Sequence, residues 1–158
     1  MNEIVYGVVP VETLLQHDGL SFLRGLIDGR FPAPPITQTL GFTLSEAEHG
    51  RVVFSGTPQM RHYNPIGTVH GGFAMTLLDS ALACAVHSTL LKGETYTTLE
   101  IKVNLVRPLT KDTGPVRAEG RLIHRGRTLG TSEGDIKDAS GRLYAHASTT
   151  CMIFPAKK

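Results

Sequence analysis

The sequence predicts an α+β domain in which a curved antiparallel sheet wraps one long, buried helix. Three observations carry this. Residues 73–91 contain no glycine, proline, lysine, arginine or glutamate, and the run is too long for an ordinary strand. Phe73, Leu77, Leu78, Ala81, Leu82, Ala85 and Val86 give it helical spacing, and alanines fill much of the rest. Period-2 segments flank the run, two before it and four after. Short connections join the last four, which predicts an antiparallel meander, and a helix apolar nearly all round needs a sheet to bury it.

Residues 10–28 place Val11, Leu14, Leu15, Leu23, Leu26 and Ile27 in one helix or in two short ones broken at Gly19. FPAPP at 31–35 ends them as an extended connector, because proline rejects the helix interior and restrains its predecessor. This gives an N-terminal helical extension, 1–36, ahead of a domain spanning 37–158. The extension reads as a cap packed on the domain; a lid near a binding site is the alternative. From Thr39 the period becomes that of strands, and TLGFTLSEAEHGRVVFSGTP gives two strands turning near Glu48, His49 and Gly50. TYTTLEIKVNLVRPL (95–109) alternates with Leu99, Ile101, Val103 and Leu105 on one face and ends at Pro108. Strands are also expected within 114–126, 127–139 and 142–154, with turns at Gly126 and Ser140-Gly141.

Composition excludes several classes of function. The net charge of +2 and the aromatic content of 6% do not provide the dense basic and aromatic surface that nucleic acid requires. Cys84 and Cys151 form no CxxC; His62, His70 and His87 have no ligand spacing, and no HExxH occurs, so neither metal nor cofactor is expected. The one G-x-S-x-G, Gly130 to Gly134, falls inside the strand expected within 127–139 and not at a strand-to-helix turn, so no nucleophile elbow is expected. The start, MNEIVYGVVP, does not read as a signal peptide, and no apolar run suits a membrane span; a cytoplasmic, soluble protein with reduced thiols is expected. Charged residues make up 19%, below the roughly 25% of typical soluble domains, which hints at buried subunit interfaces.

Two features of the long helix carry chemistry. At its start, His70-Gly71-Gly72 leaves backbone N–H groups without intrahelical partners, and the glycines let a ligand approach closely. Such a terminus favours a carbonyl oxygen that becomes negative during reaction. In the helix middle sits Asp79, a residue of poor helix propensity and high desolvation cost unless paired. Eight residues separate it from Gly71, roughly 12 Å along the axis, so one carbonyl cannot touch both within a chain. An antiparallel second copy of the helix would bring Asp79 beside the other chain's Gly71, giving two equal sites in an isologous dimer.

The pattern Asn64-x-x-Gly67-x-x-His70-Gly71-Gly72 followed by Asp79 resembles the signature of hotdog-fold acyl-CoA thioesterases, in particular the phenylacetic-acid-degradation (PaaI-type) branch. KVNLVRPL (102–109), HRGRTLG (124–130) and DASGRLYAHASTT (138–150) resemble it too, and the likeness runs from about Thr39 to Phe154. It implies hydrolysis of an acyl-CoA to a free acid and CoA by a homodimer, often paired into a homotetramer. Asp79 would activate water or attack the acyl carbon; the Gly71 N–H would polarise the thioester carbonyl. Asn64 would help hold that carbonyl or the water, Thr98 would assist the nucleophile, and His70 would shape the loop. Gly72 would admit the substrate. CoA carries phosphates, so a basic rim is expected, and Arg107, Arg125 and Arg127 lie near strand ends and a turn. Arg117 and Arg121 would share a strand face. Two alternatives stay open: a non-enzymatic acyl-CoA binder on the same fold, and a hotdog hydratase or dehydratase, whose site pairs a His with an acidic residue on the central helix.

Overall fold

The computed structural model describes residues 4–156. Three short helices, α1 (Val11–Leu14), α2 (Gly19–Ile27) and α3 (Pro35–Leu40), lead into β1 (Phe42–Glu48) and β2 (Arg51–Gly56). A 3-10 turn at Met60–His62 and a loop precede α4 (Gly71–His87). The chain closes with β3 (Glu94–Leu105), β4 (Val116–Arg125), β5 (Leu129–Asp138) and β6 (Leu143–Pro155). All six strands form one sheet in the order β1-β2-β4-β5-β6-β3, every pairing antiparallel.

α4 is the predicted long helix, and ten of its seventeen residues are buried, which makes it the core's centre. The sheet reaches it through glycines. A Cβ on Gly120 of β4 would overlap the Ala81 carbonyl oxygen, and one on Gly130 of β5 would lie 2.6 Å from Val86 Cγ1. On Gly134 of β5 it would press on Leu82 Cδ1 at 2.7 Å. Between those strand glycines, buried Ser132 donates its hydroxyl to the Leu82 carbonyl at 2.7 Å, which satisfies its polar group inside the core. Leu77, Leu78, Val52, Val116 and Ile136 fill the rest of the interior.

Three sequence expectations are corrected. The last four strands are not one meander: β4, β5 and β6 are, but β3 pairs with β6 at the far edge while β4 pairs with β2. The linker 106–115 lets the chain cross from one place to the other, and Pro108 and Pro115 keep it from extending either strand. Residues 39–41 are not strand. Pro35 occupies the first helical turn, where proline's fixed φ suits a helix, and Gly41 closes α3 at φ 68°. Finally, Leu99 does not share a face with Ile101 and Val103. It is the extra residue of a β-bulge between Thr98 and Glu100, and it is exposed while Ile101 and Val103 pack on the core.

The first helices form two short pieces, as the sequence allows. Asp18 caps α2, accepting from the Ser21 N–H at 2.9 Å and from its hydroxyl at 2.8 Å. Gly19 lies directly on the His87 carbonyl, where no side chain fits, and its N–H donates to the Leu90 carbonyl at 2.9 Å. α2 therefore packs on the C-terminal end of α4. Among the described residues no helix is long and apolar enough to cross a membrane.

Candidate active site

The loop before α4 is closed by Asn64. Its side-chain oxygen accepts from the N–H groups of Ile66 (3.1 Å) and Thr68 (3.2 Å), and its amide donates to Thr68 Oγ1 at 3.0 Å. This is an Asx turn, and it leaves the second amide N–H of Asn64 uncommitted. His70 caps the helix: Nδ1 accepts from the Gly72 N–H at 2.9 Å, and the His70 N–H donates to the His62 carbonyl at 2.7 Å. With Gly72 thus engaged, the Gly71 N–H has no acceptor among the described residues. It borders a cleft of about 240 Å³ lined in part by Asn64, His70, Leu105, Arg107 and Tyr144. The helix dipole places partial positive charge there. Arg107 donates to the Leu143 carbonyl and lies 5.8 Å over the Tyr144 ring, so its charge is held at the cleft edge.

Asp79 lies two turns further along α4, half-buried and outside that cleft. Thr98 Oγ1 donates to its Oδ1 at 3.1 Å. The bulge makes this contact possible. Strict alternation from the inward-packed Ile101 and Val103 would turn Thr98 away from the helix; the extra Leu99 restores it to the inner face, opposite Cys151. Two thiols and a phenol surround the pair. Burial pushes the Cys84 thiol up to about 12, a rise that the Tyr96 hydroxyl bonded to it partly offsets. Burial also raises Tyr96 well above the usual phenol range and raises Cys151, whose thiol meets the Thr98 hydroxyl. All three are protonated at neutral pH, so neither cysteine is an activated nucleophile.

One chain therefore gathers the candidate residues in two separate groups. Asn64, His70, Gly71, Gly72 and Arg107 meet at the start of α4, and Asp79 meets Thr98 in its middle. The other arginines join neither. Arg125 pairs with Glu94 at 2.6 Å and donates to the Gly126 carbonyl, while Arg127 is exposed in the β4–β5 turn. Arg117 and Arg121 do share a face of β4, in an ion-pair mosaic with Glu46, Glu119 and Asp135 on the outer side of the sheet. Among the described residues no three His, Cys, Asp or Glu side chains gather to hold a metal ion. The sequence reading missed Tyr96, Cys84 and Cys151 beside Asp79. Tyr96 was legible in principle, two residues before Thr98 on the same face.

Comparison with known proteins fits this geometry. Residues 66–145, half of the chain, match the thioesterase superfamily family model. Human acyl-coenzyme A thioesterase 13 is 28% identical over 130 residues, covering 81% of this chain and 91% of that protein. The structure of a phenylacetic acid degradation-related protein from Ralstonia eutropha superposes with a TM-score of 0.75 at 29% identity, covering 83% of this chain and 98% of that one. A point mutant of the phenylacetic acid degradation protein PaaI of Thermus thermophilus gives 0.67 at 28% identity over 75% of this chain and 97% of its own. A long helix packed against an antiparallel sheet thus has its relatives: the chain belongs to the thioesterase superfamily and is a hotdog-fold thioester hydrolase similar to the PaaI-type proteins.

Proposed function

We propose that the protein hydrolyses an aryl or medium-chain acyl-CoA to a free acid and CoA at sites shared between two copies of the chain. The observation that carries this is the pair of half-sites on one helix. The Gly71 N–H lacks an acceptor among the described residues, and the Asp79 carboxylate is bonded to Thr98 roughly 12 Å away. A two-fold dimer with antiparallel α4 helices joins the halves. Asp79 takes a proton from water as the oxygen attacks the acyl carbon, or attacks it directly to form an anhydride that water then cleaves. In either route the carbonyl oxygen becomes negative beside the partner subunit's Gly71 N–H, and collapse expels the CoA thiolate, which takes up a proton. Thr98 orients the carboxylate. The free amide N–H of Asn64 is available to the carbonyl or the water, and His70 holds the loop that exposes Gly71. Arg107, at the cleft edge, is the arginine best placed for a CoA phosphate. The names of the relatives, acyl-coenzyme A thioesterase among them, favour this substrate class. The chemistry calls for no metal or cofactor, and two free thiols suit the cytoplasm.

The test follows free thiol release from a panel of acyl-CoA thioesters. Asp79→Asn is expected to lower turnover by about 100-fold or more, with thermal stability and oligomeric mass unchanged. Wild-type turnover in that variant removes Asp79 from the mechanism. Tight acyl-CoA binding without any turnover by the native protein would point to the binder instead, and enoyl-CoA hydration to a hydratase.

A further inference from the structure

The wall that α4 and β3 build does not end at Asp79. The two elements run side by side in opposite directions, so Gly71 faces Leu105, Asp79 faces Thr98, and Cys84 and His87 face Tyr96. Tyr96 precedes Thr98 by two residues on the same face, roughly 7 Å along the strand. Its ring lies 5.1 Å from the His87 imidazole. His87 stacks on Phe22 at 5.5 Å, Phe22 stacks on Phe31 at 5.2 Å, and Phe31 meets His17 edge-on at 5.2 Å. His17, Phe22 and Phe31 all come from the N-terminal segment. Gly19, seated on the His87 carbonyl, sets the close approach that this stack requires.

We propose that Tyr96 is a specificity-determining residue that ends the acyl pocket, and that residues 17–31 hold it in place, so that the site takes acyl groups of single-ring or short-chain size in preference to long chains. This rests on the placement of the reacting carbonyl at Asp79 given above. The side chains bordering Asp79 within the chain are Thr98, Cys84, Cys151 and Tyr96. Thr98 is bonded to the carboxylate, Cys151 is fully buried, and the small, half-buried Cys84 thiol meets the Tyr96 hydroxyl. Tyr96, half-buried and by far the largest of the four, remains as the surface offered to whatever is bonded to the carbonyl carbon. One aromatic ring or a few methylenes fill the distance to it, and an aryl group there packs against Tyr96 in an offset stack. Around Tyr96, Cys84 and His87 are uncharged at pH 7, and Arg125 at the end of β4 is paired with Glu94 at the start of β3. The stack of Phe22 on His87 fixes the far side of Tyr96, which makes the N-terminal segment a positioning element for the pocket's length.

The experiment measures binding of non-hydrolysable thioether analogues of CoA carrying phenylacetyl, butyryl and dodecanoyl groups to the full chain, by isothermal titration calorimetry. Wild type is expected to bind the two short analogues about tenfold or more tightly than the dodecanoyl one. Tyr96→Ala, with Tyr96→Leu as the better-packed second variant, should shift that ratio about tenfold toward the long chain. Phe22→Ala should shift it in the same direction without touching ligand, which simple loss of stability does not do. A ratio within twofold of wild type in both Tyr96 variants overturns the proposal, and so does a wild type that prefers the dodecanoyl analogue. Hydrolysis of the corresponding thioesters is read separately. A length cut-off that depends on Tyr96 in a protein that does not turn over counts against the Asp79 mechanism and leaves the role of Tyr96 standing.

Discussion

In the proposed mechanism Gly71 acts through an atom that every residue but proline possesses, and that exception isolates it. It occupies the first helical position, where proline is tolerated, so Gly71→Pro deletes the N–H with little harm to α4. The variant is expected to lose about 100-fold in kcat, the effect of removing one oxyanion donor. Gly71→Ala keeps the N–H; its Cβ meets only the end of the Leu105 side chain at 2.8 Å, and kcat should fall far less. Steady-state kinetics on both variants checks this, since equal losses would rule out the N–H. His87 offers a prediction about pH. Burial lowers it from 6.5 to about 4. Between those values the unfolded chain binds a proton that the folded chain refuses, so stability rises with pH from 4 to 6.5 and the contribution is complete above that. Its size is about 3 kcal/mol. Urea midpoints across roughly pH 4–7 should show this slope in wild type and a shallower one in His87→Leu.

At the scale of elements, α4 is held by what the strands lack. Gly120→Ala places a methyl in the Ala81 carbonyl, a backbone atom that cannot rotate away, and about 3 kcal/mol or more of stability should be lost in urea unfolding. α4 itself was legible because length, spacing and the absence of breakers all agreed. The glycines beneath it were not, since an isolated strand glycine reads equally as a bulge or a turn. The phase of β3 misled for a related reason. A bulge inserts one residue, and alternation counted from Ile101 then assigns Leu99 to the core and Thr98 to solvent, the reverse of what is found. The partner of β3 was hidden as well. Local pattern marks strand ends, but the choice between β4 and β6 depends on where the 106–115 linker crosses, a long-range matter.

For the whole molecule, the proposed shared site makes a quantitative demand. Two inactive chains, Asp79→Asn and Gly71→Pro, when unfolded together and refolded as a mixture, form mixed dimers that keep one intact site. About a quarter of wild-type activity should return, against none for either variant alone. The separation of Gly71 from Asp79 was readable from helix rise alone, while the role proposed for Thr98 entered through resemblance, and the grouping of Tyr96 with Cys84 and His87 came with the tertiary contacts of β3. The glycine floor has a further bearing on how such a protein can change over generations. Backbone against backbone, at Gly120 and Ala81, sets the height of the helix above β4 by the main chain and not by core rotamers. Aliphatic residues elsewhere in the interior can then be exchanged while the helix keeps its height above β4, so sequence drift in the core has a fixed floor to work against.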